Sequence, residues 1–159
     1  MQFSNKSLSV GNRIIDSEHQ KLGDIINDIG QLMLVNHDVA LSVAIKTLTD
    51  ALSHYFVVEE NVAKAVNFDF TKHSLAHQKI FDEFQVITHK LMEQYRKRSR
   101  IERKYFIDAM NSCLIRHVQE DSKPFTVVMG KYLYNFTPNM EASERTRQEK
   151  AEMNIFKSR

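Results

Sequence analysis

Tryptophan is absent from the 159 residues, cysteine occurs once, proline twice and glycine four times. So little proline and glycine excludes a collagen-like or low-complexity chain, and a single cysteine excludes a disulfide scaffold. Cys113 reads most simply as a small buried residue, and the lack of cysteine pairs fits a reducing compartment. Charge of one sign is also scarce in excess. Lys+Arg 22 against Asp+Glu 20 leaves a net +2, which supplies no electrostatic case for a nucleic-acid partner. No run approaches the roughly 18 apolar residues of a membrane span, and Met1 to Val10 lacks a basic stretch followed by an apolar core. A cytoplasmic protein without a membrane partner is therefore expected. What remains is a chain 42% hydrophobic and 26% charged, enough for one core and too short for two.

The hydrophobic pattern is helical throughout. Ile15, Leu22, Ile25, Ile26, Ile29 and Met33 recur three or four apart, which predicts a first amphipathic helix over 14–33, and His19 falls on its inward stripe. Asn36 to Asp38 breaks the pattern, with Asp38 a candidate helix cap. A second helix follows to about Val66, its inward series reading Leu41, Ile45, Leu48, Leu52, Tyr55, Glu59, Val62 and Val66. Asn67 to Thr71 reads as a connection. His73, His77, Phe81, Phe84, Ile87, Leu91 and Tyr95 make the buried face of a third helix. The basic stretch from Arg96 to Lys104 is read as a solvated turn, since no aromatic platform interleaves it before Tyr105. The fourth helix carries Phe106, Met110, Cys113, Leu114, His117 and Asp121 before Pro124 favours a boundary.

Four such stripes are buried together most simply in an all-α, up-down-up-down four-helix bundle. Residues 1–124 would form it. Residues 125–159, with Tyr132, Tyr134 and Phe136 and then the polar segment Glu141 to Lys150, would add a C-terminal cap or arm rather than a separate domain.

The inward or near-inward polar residues are His19, His54, Glu59, His73, His77, His117 and Asp121, contributed by all four helices. A lone buried histidine is commonly a hydrogen-bonded core residue. Five with two carboxylates are harder to bury without a shared partner, because the lost solvation costs several kcal/mol. Imidazole nitrogen with carboxylate oxygen suits an intermediate transition metal, whereas calcium and magnesium prefer oxygen ligands. Seven side chains exceed the need of one tetrahedral ion and point to two metals. His37, in the first connection, and His89, beside the third stripe, read as surface or hydrogen-bonding residues.

The ordered set Ile15-Asp16-Ser17-Glu18-His19-Gln20-Lys21-Leu22, His54 to Glu60, His73-x-x-x-His77 with Phe81, and His117-x-x-x-Asp121 resembles the hemerythrin family of non-haem diiron proteins. The resemblance spans about Val10 to Pro124. It implies two iron ions with an oxo or hydroxo bridge, the first on His73, His77 and His117, the second on His19 and His54, with Glu59 and Asp121 bridging. It further implies reversible dioxygen binding for transport, storage or sensing, in an iron- and metal-binding protein rather than an enzyme. No general base outside the ligand set asks for catalysis.

Two spacings depart from the family. On the second helix the family's histidine usually precedes the glutamate by four positions, where this chain has Tyr55. His54 is the expected ligand because a neutral imidazole is the more usual donor, with Tyr55 as an alternative ligand or a hydrogen-bonding neighbour. On the fourth helix the family commonly places aspartate five residues after histidine, here Ser122. Asp121 at i+4 keeps its side chain on the His117 face, with Glu120 as the alternative. The displaced residues leave two other functions open: a diiron redox enzyme acting on peroxide or nitric oxide, and a structural interaction protein whose polar layer is a hydrogen-bonded network.

Overall fold

A computed structural model describes residues 8–35, 37–94 and 100–139. Among them the protein is all-α: a core four-helix bundle of α1 (Arg13–Leu34), α2 (Asp38–Ala65), α3 (Thr71–Gln94) and α4 (Arg100–Arg116), followed by a π-turn (His117–Asp121) and the short α5 (Lys123–Met129). The expected architecture and its C-terminal helical extension are both present. Tyr95, part of the basic stretch, and the polar segment from Glu141 lie outside the described residues.

The first three helices each begin where a side chain can satisfy a free amide. Asn12 caps α1, its Oδ1 accepting from the amides of Ile14 at 3.1 Å and Ile15 at 3.3 Å. α2 is capped by His37, whose Nδ1 accepts from Ala40 N–H at 3.2 Å. The expected cap, Asp38, instead occupies the first turn, where its carboxylate faces the positive helix end. Between α2 and α3 the chain reverses through Asn67 in the left-handed region (φ 54°), a conformation asparagine tolerates better than most residues. Asp69 Oδ1 then accepts from Thr71 N–H at 3.0 Å and starts α3. The basic residues from Arg100 onward begin α4 rather than solvating a turn, and Arg103 donates to the carbonyl of Met33 at 2.8 Å, tying α4 to the end of α1.

The predicted stripes supply most of the core, with Ile80 added and with Ile25, Ile45, Phe81, Ile87 and Phe106 only half-buried against it. Ile15, Leu22, Ile26, Ile29 and Met33 of α1 meet Leu41, Leu48, Leu52 and Val62 of α2, Ile80, Phe84 and Leu91 of α3, and Met110 and Leu114 of α4, all buried. α1 packs against α2 and α4, and α3 closes the bundle against both of the latter. Pro124 sits in the first turn of α5, where its missing N–H costs nothing, and Phe125, Met129 and Phe136 fill the end of the same core. The extension is stitched to the start of α1: Tyr134 O accepts from Arg13 N–H at 2.8 Å, and Phe136 O from Asn12 Nδ2 at 3.0 Å. No helix among the described residues is long and apolar enough to cross a membrane.

Cys113 is buried, as its residue type suggests, and donates to Glu83 at 3.2 Å beside the close Glu83–Arg116 ion pair. Burial, and then the Glu83 carboxylate, push its thiol up to about 11. About 100-fold less thiolate than an ordinary cysteine is expected at neutral pH. Ellman's reagent should accordingly label the native protein at least that much more slowly than the protein in denaturant, and equal rates would contradict the packing.

Candidate metal centre

Glu59, His73, His77 and His117 come together at the end of the bundle capped by α5, all four buried, with one ligand-capable atom from each lying within 4.8 Å of the others. The three-residue and four-residue steps of the helices bring them there. Glu59 continues the Leu48, Leu52, Tyr55 stripe of α2, while His73 and His77 lie one turn apart on α3. His117 follows Met110, Cys113 and Leu114 down α4.

Glu59 Oε2 is the hub. It lies 3.1 Å from His73 Nε2, 2.9 Å from His77 Nε2 and 3.9 Å from His117 Nε2. The outer nitrogens of two of these rings are already engaged. His73 Nδ1 donates to the carbonyl of Asp121 at 3.1 Å, and His117 Nδ1 makes a long hydrogen bond of 3.4 Å to the Asp121 carboxylate. Donation from Nδ1 leaves a neutral imidazole with its lone pair on Nε2, the tautomer that binds metals. His73 Nε2 then faces a carboxylate oxygen, lone pair to lone pair. Something electropositive has to lie between them, a proton or a metal ion.

The charges respond accordingly. Burial alone would push the Glu59 carboxyl up, but the three imidazoles around it, His117, His73 and His77, outweigh burial and hold the group well below the usual carboxylate range. Burial also drives His77 down, beyond what Glu59 restores, whereas at His73 the bond to Glu59 wins and its pKa rises. The surroundings exclude water. Phe56 stacks on His77 with ring centroids 4.0 Å apart, Phe70 lies 4.7 Å from His73 and 5.2 Å from His77, and Phe125 closes the far side of His73.

His19 is fully buried next to this cluster, its ring 4.9 Å from that of Tyr55. Its Nδ1 donates to Leu8 O at 2.7 Å, so its Nε2 also carries a lone pair, and that atom has no hydrogen-bond partner among the described residues. The strap holding Leu8 is anchored by Asp16, whose carboxylate accepts from Val10 N–H at 2.8 Å and Ser9 Oγ at 2.6 Å. Burial lowers the His19 pKa, which keeps the ring neutral. Glu59 Oε1 and Ser122 Oγ, beside the same cluster, are likewise buried without a hydrogen-bond partner among the described residues.

On α2 the structure separates the two candidates. His54 points outward, its side chain 63% exposed and its Nε2 4.0 Å from Glu18 Oε2. Tyr55 occupies the inward position, fully buried, its hydroxyl donating to His117 Nε2 at 3.0 Å. One residue of helix is about 100° of rotation, and the stripe that buries Leu52 and Glu59 carries Tyr55 with it. On α4 the expectation of a plain helix is corrected by the π-turn. Ser122 N–H donates to His117 O at 2.9 Å, five residues back, so Ser122 is the fully buried residue. The Asp121 side chain is 37% exposed and its carboxylate meets the outer nitrogen of His117. Glu120 is exposed. His37 is the α2 cap already described, and His89 lies on the surface 3.3 Å from Glu93. Ser122 is the inward residue that pattern reading passed over; the i+5 spacing common in the resembled family was the one signal for it.

The fold and the site define a four-helix-bundle protein with a buried Glu/His cluster that can chelate a metal ion and resembles a diiron-binding site. A shell with bonds of about 2.1 Å would need only small side-chain movements to close on these four atoms. Neither family models, curated proteins nor solved structures yield a match to this chain.

Proposed function

We propose that the protein is a hemerythrin-like non-haem iron protein that binds dioxygen reversibly for transport, storage or sensing. The observation that carries the reading is the convergence of imidazole lone pairs on one buried carboxylate, with the outer nitrogens of His73 and His117 held by Asp121. Glu59, His73, His77 and His117 would hold one iron. The orphaned His19 Nε2 and Glu59 Oε1 would be available to hold a second. Iron supplies the electrons for dioxygen binding. The chain itself supplies the enclosure: Phe56, Phe70 and Phe125 keep bulk water and its protons away from the centre, which favours release of the bound gas over its reduction.

Metal analysis of anaerobically purified protein, with optical spectra before and after exposure to oxygen, tests this directly. Retained iron and a visible charge-transfer band that disappears on deoxygenation are expected. A band that persists would transfer the protein to the redox-enzyme reading, and normal folding with no affinity for iron would favour the structural one.

The choice between His54 and Tyr55 on α2 is read by a pair of variants. With His54 on the outside and Tyr55 against His117, Tyr55→Phe should perturb metal retention and the spectrum, whereas His54→Ala should retain wild-type iron. The reverse ranking would restore His54 to the ligand set.

A further inference from the structure

Two of the inward positions that would complete a symmetric pair of metals carry hydroxyls. Tyr55 stands on α2 where the resemblance places an imidazole, and Ser122 on the π-turn where it places a carboxylate. Both are fully buried, so neither is a surface substitution without consequence. The nearest replacements are turned away. His54 lies on the solvent side of α2, and Asp121 is spent on the outer nitrogens of His73 and His117, so its carboxylate does not reach the Nε2 side where a metal would lie. The first position thus has three imidazoles and a carboxylate, whereas the second has His19 Nε2, the remaining Glu59 oxygen and two neutral hydroxyls. Two acceptors and two hydroxyls suit a buried water as well as a cation.

From this asymmetry we infer that the two metal positions differ greatly in affinity: the Glu59, His73, His77, His117 position fills first and tightly, and the His19 side binds a second metal weakly or stays hydrated. This inference rests on the metal-centre reading proposed above. Since loss of an outer-sphere support alone weakens metal sites by 10–100-fold, loss of two ligands should separate the two steps by at least about 100-fold.

The test is anaerobic titration of the full chain with ferrous iron, and separately with cobalt(II) as an optical probe, followed by equilibrium dialysis and metal counting. One tightly bound ion per chain is expected, with any second appearing only at about 100-fold higher free metal. After oxidation, the protein loaded with one iron should show the electron paramagnetic resonance of an isolated high-spin ferric ion, whereas an oxo-bridged pair would be silent. Tyr55→His with Ser122→Asp should narrow the gap between the two steps, and Tyr55→His alone should narrow it in part without adding a buried charge. Two ions binding together with indistinguishable affinity in the wild-type chain would overturn the inference. So would well-folded variants whose second step does not tighten. Absence of any metal binding would instead refute the metal-centre reading, and the two failures are distinct.

Discussion

Anaerobic loading with ferrous iron is expected to raise the melting temperature by roughly 8–16 °C. The estimate follows from linkage. A ligand that binds only the folded chain at about 1,000 times its dissociation constant stabilises it by about 4 kcal/mol, and each kcal/mol is worth about 2–4 °C in a chain of this size. The physical source is local. Unloaded, the centre confines three imidazoles and a carboxylate in a water-excluding pocket, with only a proton between His73 and Glu59. A metal ion replaces that proton and binds all four groups at once. Differential scanning calorimetry with and without iron, reversed by a chelator, measures the effect, and an unchanged transition would remove the centre from consideration.

Glu59→Ala is expected to abolish that thermal gain and to lower the stability of the metal-free protein by about 3 kcal/mol at neutral pH. The carboxylate faces His73, His77 and His117 from the centre of the core, and its removal leaves buried imidazoles without their anion. Hydrogen bonding from these rings holds the carboxyl well below its ordinary range. Its stabilising contribution is therefore present above the unfolded pKa of glutamate and is lost as the pH falls through the lowered folded value. Urea unfolding of wild type and variant should show the full difference at pH 7 and convergence only in strong acid. A variant as stable as wild type that still retains iron would contradict the assigned hub.

How far the pattern of residues anticipated the structure differs between the elements. The α1 stripe and the histidines of α3 needed little beyond period, although on α3 the buried Ile80 was not expected and Phe81 and Ile87 are half-buried. Ile15, Leu22, Ile26, Ile29 and Met33 are buried as spaced, and so are His19, His73 and His77, which share those faces. The same rule already put Tyr55, not His54, in register with Leu52 and Glu59. The expectation of His54 set ligand chemistry above helical phase, and the phase decided which side chain lies inside. Burial of a whole stripe outweighs the preference of one donor, since turning α2 by a residue would expose Leu48, Leu52 and Val62.

The end of α4 is different in kind. His117 and Asp121 at i+4 look like neighbours on one face, and nothing in their spacing shows that the backbone widens between them. The π-turn moves Ser122 inward and leaves Asp121 where its carbonyl and carboxylate meet the outer nitrogens of His73 and His117. The same aspartate that read as a metal bridge thus positions two of the imidazoles.

The four helices, their inward faces and the presence of acids and imidazoles within one core are consequences of local periodicity, because each amphipathic stripe must leave water whatever its neighbours are. Which atoms of those side chains meet is another matter. The inward place of Ser122, the tautomers set by Leu8 and Asp121 and the difference between the two sides of Glu59 arise from packing α3, the π-turn and the strap before α1 against one another, contacts between residues up to tens of positions apart that no periodicity records.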